Sequence, residues 1–190
     1  MAYCTADDVR DSARLDITAS TSDAGISAII DAVCLRIDQF SNLPEGSYAV
    51  TADTTRYYQY NDIYRGRLQL DMSLLTLTTL TNGDSSALPT GSYRLHPRNT
   101  PQKWFIELLS GWDWGITTDG EIAVTGKFGQ SLTAPANVVE AATMWSAYLV
   151  KRYQGALQDA TANQELGQLI YSEAIPTQVM ALLRPRGAML

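Results

Sequence analysis

The chain has one histidine, His96, in the string Leu95-His96-Pro97-Arg98. An imidazole works as a general base only when a nucleophile lies within hydrogen-bond reach. No serine or cysteine is placed for it to activate, so the expectation is an exposed, structural histidine. Cys4 and Cys34 could share a metal with His96 only through a coincidence of folding, because neither is flanked by a CxxC or finger-type spacing. Two reduced thiols and no metal are therefore expected. Glu107 and Glu121 fall on expected strands and could face each other as an acid pair. Carboxylates on a sheet surface are, however, ordinary. Gly126-Lys127-Phe128-Gly129 has the spacing of neither a phosphate-binding loop nor a dinucleotide fingerprint. The inventory points to no enzyme and to no cofactor.

Binding is better represented than catalysis. Gly111-Trp112-Asp113-Trp114-Gly115 places two indoles in a glycine-hinged loop. Aromatic side chains dominate interface hot spots, so Trp112, Asp113 and Trp114 form a candidate partner-binding loop. Two other readings stay open: a lid folded over the end of the sheet, and a platform for a sugar or a base. The tyrosines Tyr57, Tyr58, Tyr60 and Tyr64 are accounted for mostly by alternating sheet faces. The terminus Arg184-Pro185-Arg186-Gly187-Ala188-Met189-Leu190 reads either as a frayed end or as an arm that orders on docking. In the second case Arg184, Pro185 and Arg186 lead to Met189 and Leu190 as apolar anchors.

These residues are carried by elements that a shift in composition reveals. Residues 1–44 and 134–190 hold 18 of the 22 alanines, whereas residues 45–133 hold 13 of the 19 threonines, 9 of the 13 glycines and 6 of the 10 tyrosines. Alanine loses no side-chain entropy in a helix, while threonine and tyrosine fit a pleated sheet. The order is therefore helix, sheet, helix. Thr5 with Asp8 three residues on has capping-box spacing. Ile26, Ile29, Ile30, Val33, Ile37 and Phe40 step by three and four along a helix from about Ser22 to Phe40. Six strands are expected, at Thr54–Tyr60, Leu68–Leu70, Leu74–Leu80, Ser92–Leu95, Trp104–Leu109 and Glu121–Thr125. Asn82-Gly83 supplies the positive backbone angle of a hairpin turn. Pro135 opens a third helix whose face is Val138, Ala141, Ala142, Trp145, Tyr148 and Leu149. A last helix opens near Pro176, carries Val179, Leu182 and Leu183, and stops at Pro185. The expected fold is α+β: residues 1–44 and 134–190 form one helical bundle, and residues 45–133 form an inserted antiparallel sheet, a small sandwich or barrel-like.

Charge narrows the function further. Charged residues make up 18% of the chain and the net charge is −6. Nucleic-acid affinity comes chiefly from Lys and Arg displacing counterions, so a surface that attracts phosphate everywhere is excluded. No apolar run approaches the roughly 18 residues of a membrane span, and no secretion signal is present at the N-terminus; no membrane is expected.

The order of these features resembles the head–tail connector (adaptor) proteins of long-tailed bacteriophages, the ring that docks beneath the portal. The strings that carry the resemblance are Tyr3-Cys4-Thr5-Ala6-Asp7-Asp8-Val9-Arg10 and the long helix to Phe40. Next come Thr55-Arg56-Tyr57-Tyr58, Leu68-Gln69-Leu70-Asp71 and Leu77-Thr78-Thr79-Leu80-Thr81-Asn82-Gly83-Asp84. The segment from Gly120 to Gly129 leads into Pro135, and the ending runs from Ile175-Pro176 to Arg184-Pro185. The resemblance implies a structural virion protein of the neck, assembled in the host cytoplasm. It implies a ring of twelve subunits with the portal above, the next neck or tail-completion protein below, and the genome DNA passing through without specific binding. An acidic channel wall would repel phosphate and let DNA slide, with Asp31 and Asp38 on the polar side of the second helix as candidates to line it. The competing reading is a carbohydrate- or peptide-binding β module on a helical support, using the Trp112–Trp114 loop.

Overall fold

A computed structural model describes residues 2–12, 23–115, 121–162 and 175–183, with side chains on the third helix described as far as residue 153. Arg184, Pro185, Arg186, Met189 and Leu190 lie outside the described residues. The chain divides into two compact units, Met1–Gly46 with Ala134–Leu190, and Ser47–Thr133. The architecture is α+β.

In the first unit, α1 (Ala6–Ser12) begins as its capping residues dictate. The Asp8 backbone N–H donates to Thr5 Oγ1 at 3.1 Å, and the Thr5 N–H returns a bond to Asp8 Oδ2 at 2.7 Å. Helix α2 (Asp23–Phe40) buries Ile26, Ile30, Val33, Cys34, Ile37 and Asp38. Each residue advances about 100° around a helix, so this set lies on a stripe rotated away from the expected one. Ile29 is only half-buried and Phe40 is 44% exposed. The rotated stripe faces a residue distant in sequence: Tyr3 N–H donates to Cys34 Sγ at 3.2 Å and Tyr3 OH donates to Asp38 Oδ1 at 2.6 Å, which holds both residues inward.

Helix α3 (Ala136–Ala162) follows Pro135, whose carbonyl accepts from Val138 and Val139. It packs against α1, α2 and α4 (Thr177–Leu183). Three neighbours widen its buried band, so Thr143, Ser146, Ala147 and Val150 are buried beside Val138, Ala141, Ala142 and Trp145, while Tyr148 is 39% exposed. On α4, Val179 and Leu183 are buried. Among the described residues no helix is long and apolar enough to cross a membrane.

The second unit is one antiparallel sheet of six strands: β1 (Thr54–Tyr58), β2 (Ile63–Tyr64), β3 (Arg67–Thr81), β4 (Tyr93–His96), β5 (Lys103–Leu108) and β6 (Ile122–Phe128). The order is β1-β6-β3-β5-β4, with β2 paired to β3. The sheet is open and does not close into a barrel. Two strands expected at Leu68–Leu70 and Leu74–Leu80 are one 15-residue strand. Its first half pairs with β5 and its second half with β6, with a register shift between Gln69 and Leu74. A bulge of this kind bends the strand that carries it, and the buried apolar side chains of the sheet gather in one cluster. Leu68, Leu74, Leu80, Ile106, Ile122 and Val124 are fully buried there. On β6 burial alternates residue by residue, as period two requires. Gly126 is needed at its site because a Cβ would lie 2.1 Å from the Thr76 carbonyl oxygen.

Candidate functional site

The hairpin between β2 and β3 was not anticipated from the sequence. Tyr64 pairs with Arg67, and the two residues between them, Arg65 (φ 51°) and Gly66 (φ 78°), both have positive φ. Positive φ at both central residues is the signature of a type I′ turn, whose twist matches the strands it joins. The usual Asn-Gly signal is absent, since an arginine takes the first position. A non-glycine residue in the left-handed region is uncommon and points to a role for the tip. The expected turn at Asn82-Gly83 is a longer loop instead: Asn82 N–H donates to the Ser86 carbonyl at 2.8 Å, and the positive angle falls at Ser85. The Asn82 side chain is occupied elsewhere. Its Nδ2 donates to the Asp113 carbonyl at 3.0 Å and its Oδ1 accepts from Gly115 N–H at 3.0 Å.

Those bonds hold the tryptophan loop. The loop begins with a turn in which Trp112 N–H donates to the Leu109 carbonyl at 3.1 Å, with Gly111 at φ 90°. It then separates the two indoles. Trp114 packs on the sheet's core and its Nε1–H donates to the Gly66 carbonyl at 3.0 Å, so it fastens the hairpin tip. Trp112 is 44% exposed and Asp113 is exposed. The pair therefore forms no continuous stacking platform: one ring serves the fold and the other faces outward.

The register then assembles an outer face. Residues directly opposite on antiparallel strands point to the same side of the sheet. Tyr64, Arg67, Glu107 and Arg94 form one such row across β2, β3, β5 and β4. Gln69, Phe105 and His96 form the next. Arg65 lies over the Tyr64 ring at 5.1 Å and Arg67 over Phe105 at 5.2 Å, distances at which a guanidinium is attracted to a ring face. Tyr64, Arg65, Arg67, Gln69 and Arg94 are exposed. The face thus offers three arginines against one carboxylate, with aromatic rings between them. Tyr57 and Tyr60 are also strongly exposed: on β1 the alternation of faces turns Tyr57 to solvent and buries Tyr58, whereas Tyr60 lies past the end of the strand, in a one-turn 3-10 helix.

His96 belongs to this face and is half-buried, contrary to the exposed position expected. Its ring stacks on Phe105 at 5.2 Å, and its Nε2 lies 2.9 Å from Glu107 Oε2, close enough for charge pairing but not aligned for a hydrogen bond. Glu107 also accepts from Arg67 at 3.4 Å. Glu107 and Glu121 form no acid pair. β3 lies between β5, which carries Glu107, and β6, which Glu121 precedes; Glu107 pairs with Arg67 at one end of β3, whereas the start of β6 pairs near Thr81 at the other.

The remaining candidates lie in the helical unit. Cys4 and Cys34 are free and buried; burial pushes both thiols up, that of Cys34 to about 11, which keeps them protonated and poorly nucleophilic. No group of three or more metal-ligating side chains occurs among the described residues. Asp38 is 1% exposed and cannot line a channel. Burial raises its pKa, while the Tyr3 hydroxyl and the Gly46 N–H, which donate to it at 2.6 and 2.8 Å, oppose the rise. Its role is to tie the N-terminal segment and the end of α2 together. Asp31 is exposed on α2. Charge is unequal between the units: residues 1–46 and 134–190 carry seven cations and twelve acids, whereas residues 47–133 carry seven and eight.

No protein-family model matches the chain, and a search of curated proteins gives no match. Solved structures do match. The chain is similar to one from the neck of an empty GTA particle computed with six-fold symmetry, with a TM-score of 0.55 and 18% identity over 93% of this chain and 85% of that one. A chain from the virion of a native gene transfer agent (GTA) particle gives a TM-score of 0.56 at 18% identity, with the same coverage. At this identity the likeness establishes a shared fold, helical segments and sheet together.

Proposed function

We propose that the chain is a structural virion protein, a head–tail connector that forms a ring between portal and tail through which the genome passes. The observation that carries this reading is the match of fold over 93% of this chain and 85% of a chain from a GTA neck. A likeness confined to the sheet or to the helices would favour neither a neck protein nor a ring. The six-fold symmetry of that neck fits a closed ring of a multiple of six copies, twelve included. Each copy adds −6 to the ring, which opposes adhesion of DNA to a channel wall and suits passage without specific binding. Asp31 remains the candidate for that wall. The partners under this reading are further copies of the chain, the portal, and the next neck or tail-completion protein, in a neck assembled in the host cytoplasm. The role is assembly, with no catalytic step. The carbohydrate-binding alternative is less favoured because the indole N–H of Trp114 is bonded within the fold.

Negative-stain images of the purified protein, alone and mixed with portal, test the reading. Rings in either sample are the expected result. Their absence from both, with sugar-induced quenching of tryptophan fluorescence, would favour the β module. The terminal arm has its own test: deletion of residues 185–190 should leave the remainder folded and reduce attachment to DNA-filled heads. Normal attachment of the truncated protein would remove the arm from the portal contact.

A further inference from the structure

We propose that the arginine and aromatic face of β2, β3, β5 and β4 docks head to tail on the acidic helical unit of a second copy. The inference rests on the ring reading above and names the two surfaces that would join. A ring needs a heterologous contact, in which one patch on each copy meets a different patch on the next. Two patches of opposite character are present. The outer face of the sheet holds Arg65, Arg67 and Arg94 with Tyr64 and Phe105, and Glu107 is the one acid in the two rows that carry them. The helical unit carries net −5 and exposes Asp11, Asp31 and Glu140 on α1, α2 and α3.

The composition of the face favours a protein over DNA as its occupant. Arginine and tyrosine are enriched at the energetic centres of protein interfaces. Two of the three guanidinium groups rest on aromatic rings, and Glu107 at the middle of the row would repel phosphate. Arg65 occupies the left-handed region at an exposed hairpin tip that Trp114 holds in place. The type I′ turn sets that angle and presents the guanidinium on the solvent side of the tip, where a second molecule can reach it. Complementary charge across such a contact sets register and orientation, which a closing ring requires.

The test is a charge-reversal cycle read by sedimentation and by counting rings in micrographs, with portal present if the protein alone is monomeric. Arg65→Glu with Arg94→Glu should weaken association at least tenfold, with only a small loss of melting temperature from the two carboxylates that the second change sets opposite each other at Glu107. Asp11→Lys, Asp31→Lys and Glu140→Lys are then added one at a time to that double variant, and at least one should restore assembly. Added salt should weaken association of the unaltered protein. Should the double variant unfold, the salt titration and the three lysine variants in the unaltered background still decide the matter. Intact rings in the double variant, or no restoration by any reversal, would overturn the proposed contact while leaving the neck reading standing. No rings from the unaltered protein under any condition would overturn both. Retention of duplex DNA that disappears in the double variant would assign the face to DNA and also overturn the contact.

Discussion

In the helical unit Asp38 is buried and bonded to Tyr3 and Gly46, while the other acids among the described residues face solvent. In the β unit the apolar side chains fill one side of the sheet, and Arg65, Arg67 and Arg94 lie on the other, the first two against aromatic rings. The first unit therefore uses the Asp38 carboxylate to fix its N-terminal segment and the turn after α2. The second leaves cations and rings where another surface can reach them. Under the proposed contact the β unit supplies the cationic surface and the helical unit the acidic one, while each has a core of its own, and a substitution in each part should reveal which task it serves.

The largest effect should come from the two cores. Ile37→Ala in α2 and Ile106→Ala in β5 each remove a side chain with no exposed surface and should each cost about 2–5 kcal/mol. Followed by denaturant with both circular dichroism and tryptophan fluorescence, Ile37→Ala should lower the helical transition and Ile106→Ala that of the sheet. A single transition moved equally by both would show that the two units unfold as one. A smaller effect separates the indoles within the β unit. Trp114→Ala should cost about 2 kcal/mol, below the range for a fully buried tryptophan because its ring is only half-buried. Trp112→Ala should change stability by no more than about 0.5 kcal/mol and act on assembly instead. Equal losses of melting temperature would make both rings part of a lid.

The smallest effect is a dependence on pH that belongs to the helical unit. The Asp8 carboxylate accepts from the Thr5 N–H and hydroxyl, which hold its pKa below the ordinary value. Its contribution is present above the ordinary carboxylate pKa and is lost as pH falls through the lowered one. Asp38 has the opposite sign: its pKa is raised by burial, so the folded state keeps the proton longer. Stability therefore declines as pH climbs from the ordinary carboxylate range through the raised value. Melting temperatures across mild acid should show Asp8→Asn losing the acid-side fall and Asp38→Asn losing the decline on the other side. Unchanged profiles in both variants would remove these carboxylates from the balance.

Local rules were legible wherever one segment determines its own state. Thr5 and Asp8 define a helix start without outside help, and the alternation from Ile122 to Thr125 requires a strand whatever lies next to it. The excess of alanine at the ends and of threonine and tyrosine in the middle fixed the order of helices and sheet by propensity alone. What faces what could not be read in this way. The rotated stripe on α2 faces Tyr3, more than thirty residues away, which bonds Cys34 and Asp38. The two tryptophans are alike in sequence and part company only because Gly66 and Asn82 wait opposite one side of their loop. The arginine face exists because strand register aligns Tyr64, Arg67, Glu107 and Arg94, residues from four strands with nothing in common along the chain. Propensity is a property of neighbours in sequence, whereas burial, pairing and charge arrangement are settled by the partners that folding brings across a distance.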